Sequence, residues 1–171
     1  TFKVFAEGLN IPTGMVRVRD GVLVAHAPEF VYYEDTDGDD KADRTRVVNS
    51  GWGRGDTHGG PSNLRFGLDN YLWGCVGYSS FNGEVGGLKK HFGRGLYRFN
   101  LEGTFLEFVG QFSNNSWGLG FGETGDIFGS TANNTHHMHI PVPIRYYEKV
   151  KGLGKGRGQI TAGGEKLDSH F

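Results

Sequence analysis

The stretch LRFGLDNYLWG at residues 64–74 contains two short apolar and aromatic runs separated by the turn residues Asp69 and Asn70. This arrangement predicts two antiparallel β-strands joined by a tight turn. The same plan occurs in MVRVRDGVLVA at residues 15–25 and in LGFGETGDIFGS at residues 119–130. The copies start 49 and 55 residues apart, close to the roughly 40–50 residues of a four-stranded propeller blade. The repeat therefore predicts an all-β, propeller-like fold.

A second strand pair is predicted to follow each copy, at residues 30–48, 95–108 and 144–148. We expect residues 1–171 to form a partial propeller of about three four-stranded blades, roughly half of a six-bladed ring. We also expect the chain to be a fragment of a longer protein, with an apolar blade face uncovered on each side. A β-sandwich whose repeat is accidental is the alternative.

The composition agrees with this class of fold. Thirty glycines and 13% aromatic residues indicate many turns between short aromatic-rich strands. The formal net charge of −1 gives no electrostatic bias toward nucleic acid or an anionic membrane. No apolar run approaches the roughly 20 residues of a membrane span. The single Cys75 lies in an apolar run, which favours a buried hydrophobic role over a nucleophilic one.

Residues 35–43 read DTDGDDKAD and place carboxylates at loop positions 1, 3, 5 and 9. A cluster of carboxylate ligands with this spacing is typical of a calcium site, and Gly38 permits the sharp backbone turn that such a loop needs. A helical EF-hand would need glutamate at position 12, where Arg46 stands. We therefore predict a structural calcium-binding loop on a β-hairpin, with a solvated acidic turn as the alternative. The predicted ligands are the side chains of Asp35, Asp37, Asp39 and Asp43 and the backbone carbonyl of Lys41.

Two motifs carry a family resemblance. DTHGGPSNLRFGLDNYLW at residues 56–73 resembles the segment of quinoprotein glucose and sorbosone dehydrogenases in which a histidine precedes a blade's inner strand. NNSWGLGF at residues 114–121 is similar to the Arg-Asn-Pro-x-Gly-Leu-x-Phe element of those enzymes. Together with VFAEGL at residues 4–9 and the acidic loop, nearly the whole chain resembles the membrane-bound dehydrogenase propellers of planctomycete-type bacteria.

The resemblance implies specific roles. His58 matches the general base that takes the proton of a substrate alcohol or sugar while hydride passes to pyrroloquinoline quinone. Asn114, Asn115 and Trp117 match the element that contacts the quinone, although Asn114 stands where that element has arginine. The resemblance also implies a periplasmic or extracellular location and an electron-transfer haem c domain outside this chain, because the chain has no Cys-x-x-Cys-His.

Other interpretations remain open at this point. The chain could be a non-catalytic, calcium-stabilised propeller that binds carbohydrate or protein through groups such as Trp52, Asn115 and Trp117. It could also be a scaffold that joins an electron-transfer domain to a larger complex. His137 and His139 have the alternate spacing of a metal pair on a strand, but no carboxylate is adjacent in sequence, which favours a polar loop.

Overall fold

The computed structural model of the protein describes residues 2–133 and 138–151. It is nearly all β, as predicted. The strands are β1 Pro12–Val18, β2 Gly21–His26, β3 Glu29–Glu34, β4 Arg44–Ser50, β5 Pro61–Phe66, β6 Leu72–Val76, β7 Phe81–Val85, β8 Leu88–Phe92, β9 Gly95–Phe99, β10 Leu106–Gln111, β11 Ser116–Phe121, β12 Ile127–Thr131 and β13 Met138–Ile140. A short helix, α1, spans Ile144–Tyr147. In the described part of the chain, no helix is long and apolar enough to cross a membrane.

The strands form three successive antiparallel sheets with the strand order of propeller blades. Sheet 1 has the order β1-β2-β3-β4, sheet 2 has β5-β6-β9-β10, and sheet 3 has β11-β12-β13. The fold is therefore propeller-like. In chain order, the hairpin β7-β8 lies between β6 and β9, the two middle strands of sheet 2, and it forms a separate two-stranded sheet. The repeat did not predict this hairpin.

The strand pair predicted at residues 144–148 is wrong, because these residues form α1. Pro141 and Pro143 precede the helix and cannot donate to a sheet ladder, whereas proline is well tolerated at a helix start. Arg145 also pairs with Glu107 of β10, with 2.7 Å between Nη1 and Oε1, and this pair connects α1 to sheet 2.

The first strand of each sheet lies beside the first strand of the next, since β1 packs against β5 and β5 against β11. Each of these inner strands has a bulge near its start. At the bulges, the Thr13 hydroxyl donates to the Pro61 carbonyl, and Asn63 Nδ2 donates to the Trp117 carbonyl at 2.8 Å. These bonds align the starts of the three inner strands at one end of the sheets, as strand ends align at a propeller rim.

Trp52 is the centre of the core between sheets 1 and 2. It is 2% exposed and stacks on Phe30 of β3, with ring centroids 4.6 Å apart. It also lies 4.5 Å from the Tyr97 ring of β9 and 4.8 Å from the Phe81 ring of the inserted hairpin. The indole nitrogen donates to Asn49 Oδ1 at 2.6 Å. Trp52 therefore belongs to the core, and its expected role as an exposed ligand-binding group is wrong.

A second core joins sheets 2 and 3. Its buried members are Trp73, Cys75, Leu96, Val109, Phe112, Leu119, Met138 and Ile140. The other face of sheet 1 is covered by this chain itself, because Phe5, Ala6 and Leu9 pack on Val24 and Val31. The expectation that this face is bare is therefore wrong for sheet 1.

Candidate functional site

Three loops meet at the end of the sheets where the inner strands begin. They are residues 51–60 before β5, residues 77–80 after β6 and residues 112–115 before β11. Gly59 O accepts hydrogen bonds from the backbone N–H groups of Gly77 and Ser79, at 2.9 and 3.1 Å. The middle loop is thus the common support of the other two. We give the name rim site to five residues that lie in these loops or against them, namely His58, Tyr78, Arg94, Asn114 and Asn115.

His58 lies on the outside of this rim. Its side chain is 83% exposed, and its Nδ1 is 3.8 Å from Asp56 Oδ1. The same carboxylate oxygen accepts the backbone N–H of His58 at 2.9 Å. Asp56 is held in turn by Ser79, whose hydroxyl donates to the Asp56 carbonyl at 2.6 Å. The predicted base is therefore accessible to solvent on a loop with a fixed backbone.

The two asparagines hold Tyr78 from both ends. Asn115 is only 7% exposed, and its Oδ1 accepts the backbone N–H of Tyr78 at 3.3 Å. The Tyr78 hydroxyl donates to Asn114 Oδ1, which also accepts the Asn115 N–H at 2.7 Å. No side chain larger than hydrogen fits at Gly77, because a Cβ there would lie 1.8 Å from Asn115 Oδ1. The asparagines predicted to contact a cofactor thus shape the loop that carries Tyr78.

Trp117 occupies the bulge of β11 and is 53% exposed. Its carbonyl receives the bond from Asn63, so its backbone is fixed while its indole faces solvent. Beside the His58 loop is a small cavity of about 10 Å³, lined in part by Arg54, Asp56 and Thr57. This volume suits about one water molecule.

Arg94, like Tyr78, is a member of the rim site that the sequence analysis did not predict. It immediately precedes β9, and the Phe112 N–H donates to its carbonyl at 3.2 Å. Its Nε donates to the Phe112 carbonyl, also at 3.2 Å, and its guanidinium carbon is 5.8 Å from the centroid of the Tyr78 ring. No local motif marks this position, because the contacts join residues 16 and 18 positions apart in the chain.

The predicted calcium loop lies at the other end of sheet 1, between β3 and β4. Carboxylate oxygens of Asp35, Asp37 and Asp39 all lie within 4.8 Å of one another. Asp43 instead accepts bonds from the Thr36 N–H and hydroxyl, at 3.1 and 2.9 Å. Lys41 donates its N–H to Asp39 Oδ1 at 2.8 Å.

The electrostatics of Asp35 reflect this tight loop. Desolvation raises the pKa of Asp35, but hydrogen bonds from the N–H groups of Gly38 and Asp40 outweigh it, so that the net pKa is lowered. The corresponding N···O distances are 2.7 and 2.9 Å. The loop therefore holds this carboxylate in its ionised form, the form that a cation requires.

A second polar cluster lies at the end of sheet 2 away from the rim site. Arg98 is paired with Asp69 and Glu107, with 2.6 Å between nitrogen and oxygen in each pair. Clefts of about 240 and 570 Å³ adjoin Arg98 and Arg145. The sequence analysis did not predict this cluster, because its members come from the turn between β5 and β6, from β9 and β10, and from α1.

Of the two histidines considered as a metal pair, His137 and His139, the structure describes His139. His139 lies in β13, with its Nε2 3.2 Å from Asp126 Oδ1. His137 lies outside the described residues, so the predicted pair is not tested.

A solved structure of a proposed oxidoreductase (glucose dehydrogenase) from the bacterium Thermus thermophilus is similar to this chain with a TM-score of 0.37 and 15% identity. The match covers 80% of this chain and 63% of that one. No curated protein sequence matches the chain. The family model described as a domain of unknown function, DUF7133, matches residues 1–167. The chain therefore belongs to the DUF7133 family.

Proposed function

We propose that this domain takes part in the oxidation of a sugar or alcohol hydroxyl by pyrroloquinoline quinone, with His58 as the general base. The observation that carries the proposal is the position of His58. Its imidazole is exposed on a loop fixed by Gly59 to residues 77–80, the same loop that the Asn114 and Asn115 side chains hold. A base and a set of ligand-binding groups thus share one support.

His58 has the chemistry that this role requires. Imidazole is the side chain that enzymes most often use as a general base, because either ring nitrogen can accept a proton. With Nδ1 3.8 Å from Asp56 Oδ1, Nε2 is the atom left to accept the substrate proton. The Asp56 carboxylate would then stabilise the imidazolium that forms. Asp56 orients the base in this scheme and does not itself contact the substrate.

The rim site offers groups suited to a flat, anionic quinone, which would supply a hydride acceptor when bound. Tyr78 of the rim site and Trp117, two residues after Asn115 in the chain, present aromatic side chains that are 51% and 53% exposed. Arg94 offers a guanidinium beside Tyr78, and Asn114 offers an amide. Asn115 Oδ1 is already bonded to the Tyr78 N–H, so Asn115 serves as a positioning residue.

The calcium proposed for this chain is structural. Asp35, Asp37 and Asp39 form a cluster of carboxylates alone, which fits a hard cation. The loop is also tied to the start of the chain, because the Ala42 N–H donates to the Phe5 carbonyl at 2.8 Å and Lys3 pairs with Asp40. A cation here would hold the N-terminal segment over sheet 1, at the opposite end from His58.

The direct test is reconstitution of the purified chain with calcium and pyrroloquinoline quinone. We expect a quinone absorbance band and reduction of an artificial electron acceptor when a sugar or alcohol is added. His58→Ala should lower the rate by about 10²–10⁴ while the band remains. His91→Ala is the matched control, because His91 is an exposed histidine on β8 outside the rim site. Equal rates for the two variants would remove His58 from the mechanism.

A second candidate function is a calcium-stabilised module that binds carbohydrate without turnover. Two observations favour it. Asn115 is engaged in a structural hydrogen bond to the Tyr78 N–H, and the aromatic side chains of Tyr78 and Trp117 are exposed and free to contact a sugar. Saturable binding of neutral oligosaccharides, lost in Trp117→Ala and accompanied by no acceptor reduction, would support this candidate over the enzyme.

A further inference from the structure

Arg94 differs from the arginines that the structure uses for ion pairing. Within residues 2–133 and 138–151, the arginines at positions 19, 44, 98 and 145 each pair with a carboxylate, and Arg94 does not. Arg94 is nevertheless half-buried and held in place. Its Nε is bonded to the Phe112 carbonyl, and its guanidinium lies against the Tyr78 ring. Both terminal nitrogens are left without a bond to a described residue.

Such a fixed cation has the form of a carboxylate receptor. The terminal N–H groups of a guanidinium match the two oxygens of a carboxylate, and bonds of this charge-assisted kind are among the stronger ones in proteins. Holding the side chain in advance lowers the entropy that binding must overcome. Because Arg94 is anchored through Nε, its two terminal nitrogens stay available to a ligand without loss of that anchor.

The position of Arg94 adds a reason specific to this site. Tyr78 connects Arg94 to both asparagines, through its hydroxyl to Asn114 and through its N–H to Asn115. Asn114 has a neutral amide and cannot itself neutralise an anion. We infer that Arg94, with Tyr78 and Asn114 beside it, binds the carboxylate group of a small organic ligand at the rim site.

Two sources of that carboxylate are compatible with the chemistry. It can belong to pyrroloquinoline quinone, in which case the inference rests on the proposed function. It can also belong to an acidic sugar, which would make sugar acids the preferred substrates or ligands. Glucuronate and glucose separate the second source from neutral sugar binding, because the two molecules differ in charge at one carbon.

The experiment measures binding by the whole chain without turnover. The chain is titrated in calcium with pyrroloquinoline quinone, followed by tryptophan fluorescence, and separately with glucuronate and with glucose by calorimetry. Arg94→Gln removes the charge and keeps an amide that can donate to the Phe112 carbonyl. Arg94→Lys keeps the charge without the planar pair of donors. Arg17→Gln is the control, because Arg17 is an exposed arginine on β1 with no ion pair among the described residues.

We expect saturable binding of the quinone or of glucuronate, weakened about 10- to 100-fold in Arg94→Gln and unchanged in Arg17→Gln. Arg94→Lys should fall between them. Loss confined to the quinone identifies the cofactor as the source, and loss confined to glucuronate identifies a sugar acid. Far-UV circular dichroism and thermal unfolding establish that each variant is folded.

The inference is overturned if neither carboxylate ligand binds, if Arg94→Gln binds as tightly as the wild type, or if glucose binds as well as glucuronate while the quinone does not bind. Its failure is distinct from that of the proposed function. Binding that depends on Arg94 in a chain that shows no turnover would contradict only the enzyme proposal. Turnover that depends on His58, together with a ligand affinity that does not depend on Arg94, would contradict only this inference.

Discussion

Removing the indole of Trp52 should be the most damaging single change in the core between sheets 1 and 2. The ring is 2% exposed, stacks on Phe30 and contacts Tyr97 and Phe81. Truncation of a buried aromatic residue to alanine costs about 3–5 kcal/mol. We expect a loss of about 5 kcal/mol for Trp52→Ala, at the upper end, because Asn49 also loses the partner of its Oδ1 while its Nδ2 already has none among the described residues.

The measurement is urea unfolding followed by circular dichroism, with the slopes compared between variants. Since a domain's whole stability is about 5–15 kcal/mol, Trp52→Ala should be largely unfolded or unfold in low urea. Trp52→Phe keeps a ring but loses the bond to Asn49, and should cost about 1–3 kcal/mol. Trp117→Ala is the control and should change stability by no more than about 0.5 kcal/mol, because Trp117 is 53% exposed. A Trp52→Ala cost as small as that of Trp117→Ala would refute this account of the core.

Three further outcomes are expected. Calcium at 100 times its dissociation constant should raise the unfolding temperature by about 5–10 °C in scanning calorimetry. Asp37→Ala should abolish this rise, and the control Asp20→Ala should keep it. If calcium does not change the unfolding temperature of the wild type, residues 35–43 are an acidic turn and not a calcium site. Asn115→Ala should cost about 1–3 kcal/mol in urea unfolding, because the Tyr78 N–H loses its acceptor; no loss would mean that water replaces the amide. Burial raises the pKa of Asp69, but hydrogen bonds from Trp73 and Arg98 outweigh burial, so that the net pKa is lowered. The ionised Asp69 therefore stabilises the fold above its unfolded pKa of about 4, and this stabilisation is lost as pH falls through the lower folded pKa. Asp69→Asn should flatten the pH dependence of the free energy of unfolding below about pH 4, and an unchanged dependence in that range would exclude this contribution.

Much of the fold follows from local patterns. Turn residues such as Asp20-Gly21 and Asp69-Asn70 lie between runs of β-forming residues, and turn chemistry together with alternation determines where a hairpin forms. The repeat at residues 15, 64 and 119 placed the inner strands correctly, because each copy must bury a similar face. The acidic loop at residues 35–43 was likewise visible, since its carboxylates are close in sequence.

The candidate site divides in the same way. The family resemblance of residues 56–73 singles out His58, and the exposure of its side chain agrees with a loop that contains several glycines. The role of Asn115 was not evident from sequence, because its buried bond to Tyr78 joins two different blades. Residues 144–148 have the aromatic residues of a strand, but the preceding prolines and the pairing of Arg145 with Glu107 favour a helix.

The sequence by itself determined the all-β class, the blade period and the acidic loop. Each of these depends on neighbours within a few residues or on a repeated spacing, which the chain displays directly. Only the tertiary structure decided that Trp52 is core, that the N-terminal segment covers sheet 1, and that Arg94 stands beside Tyr78 without a carboxylate partner among the described residues. Those properties depend on which distant strands pack together, and packing of this kind is settled by the burial of whole sheet faces.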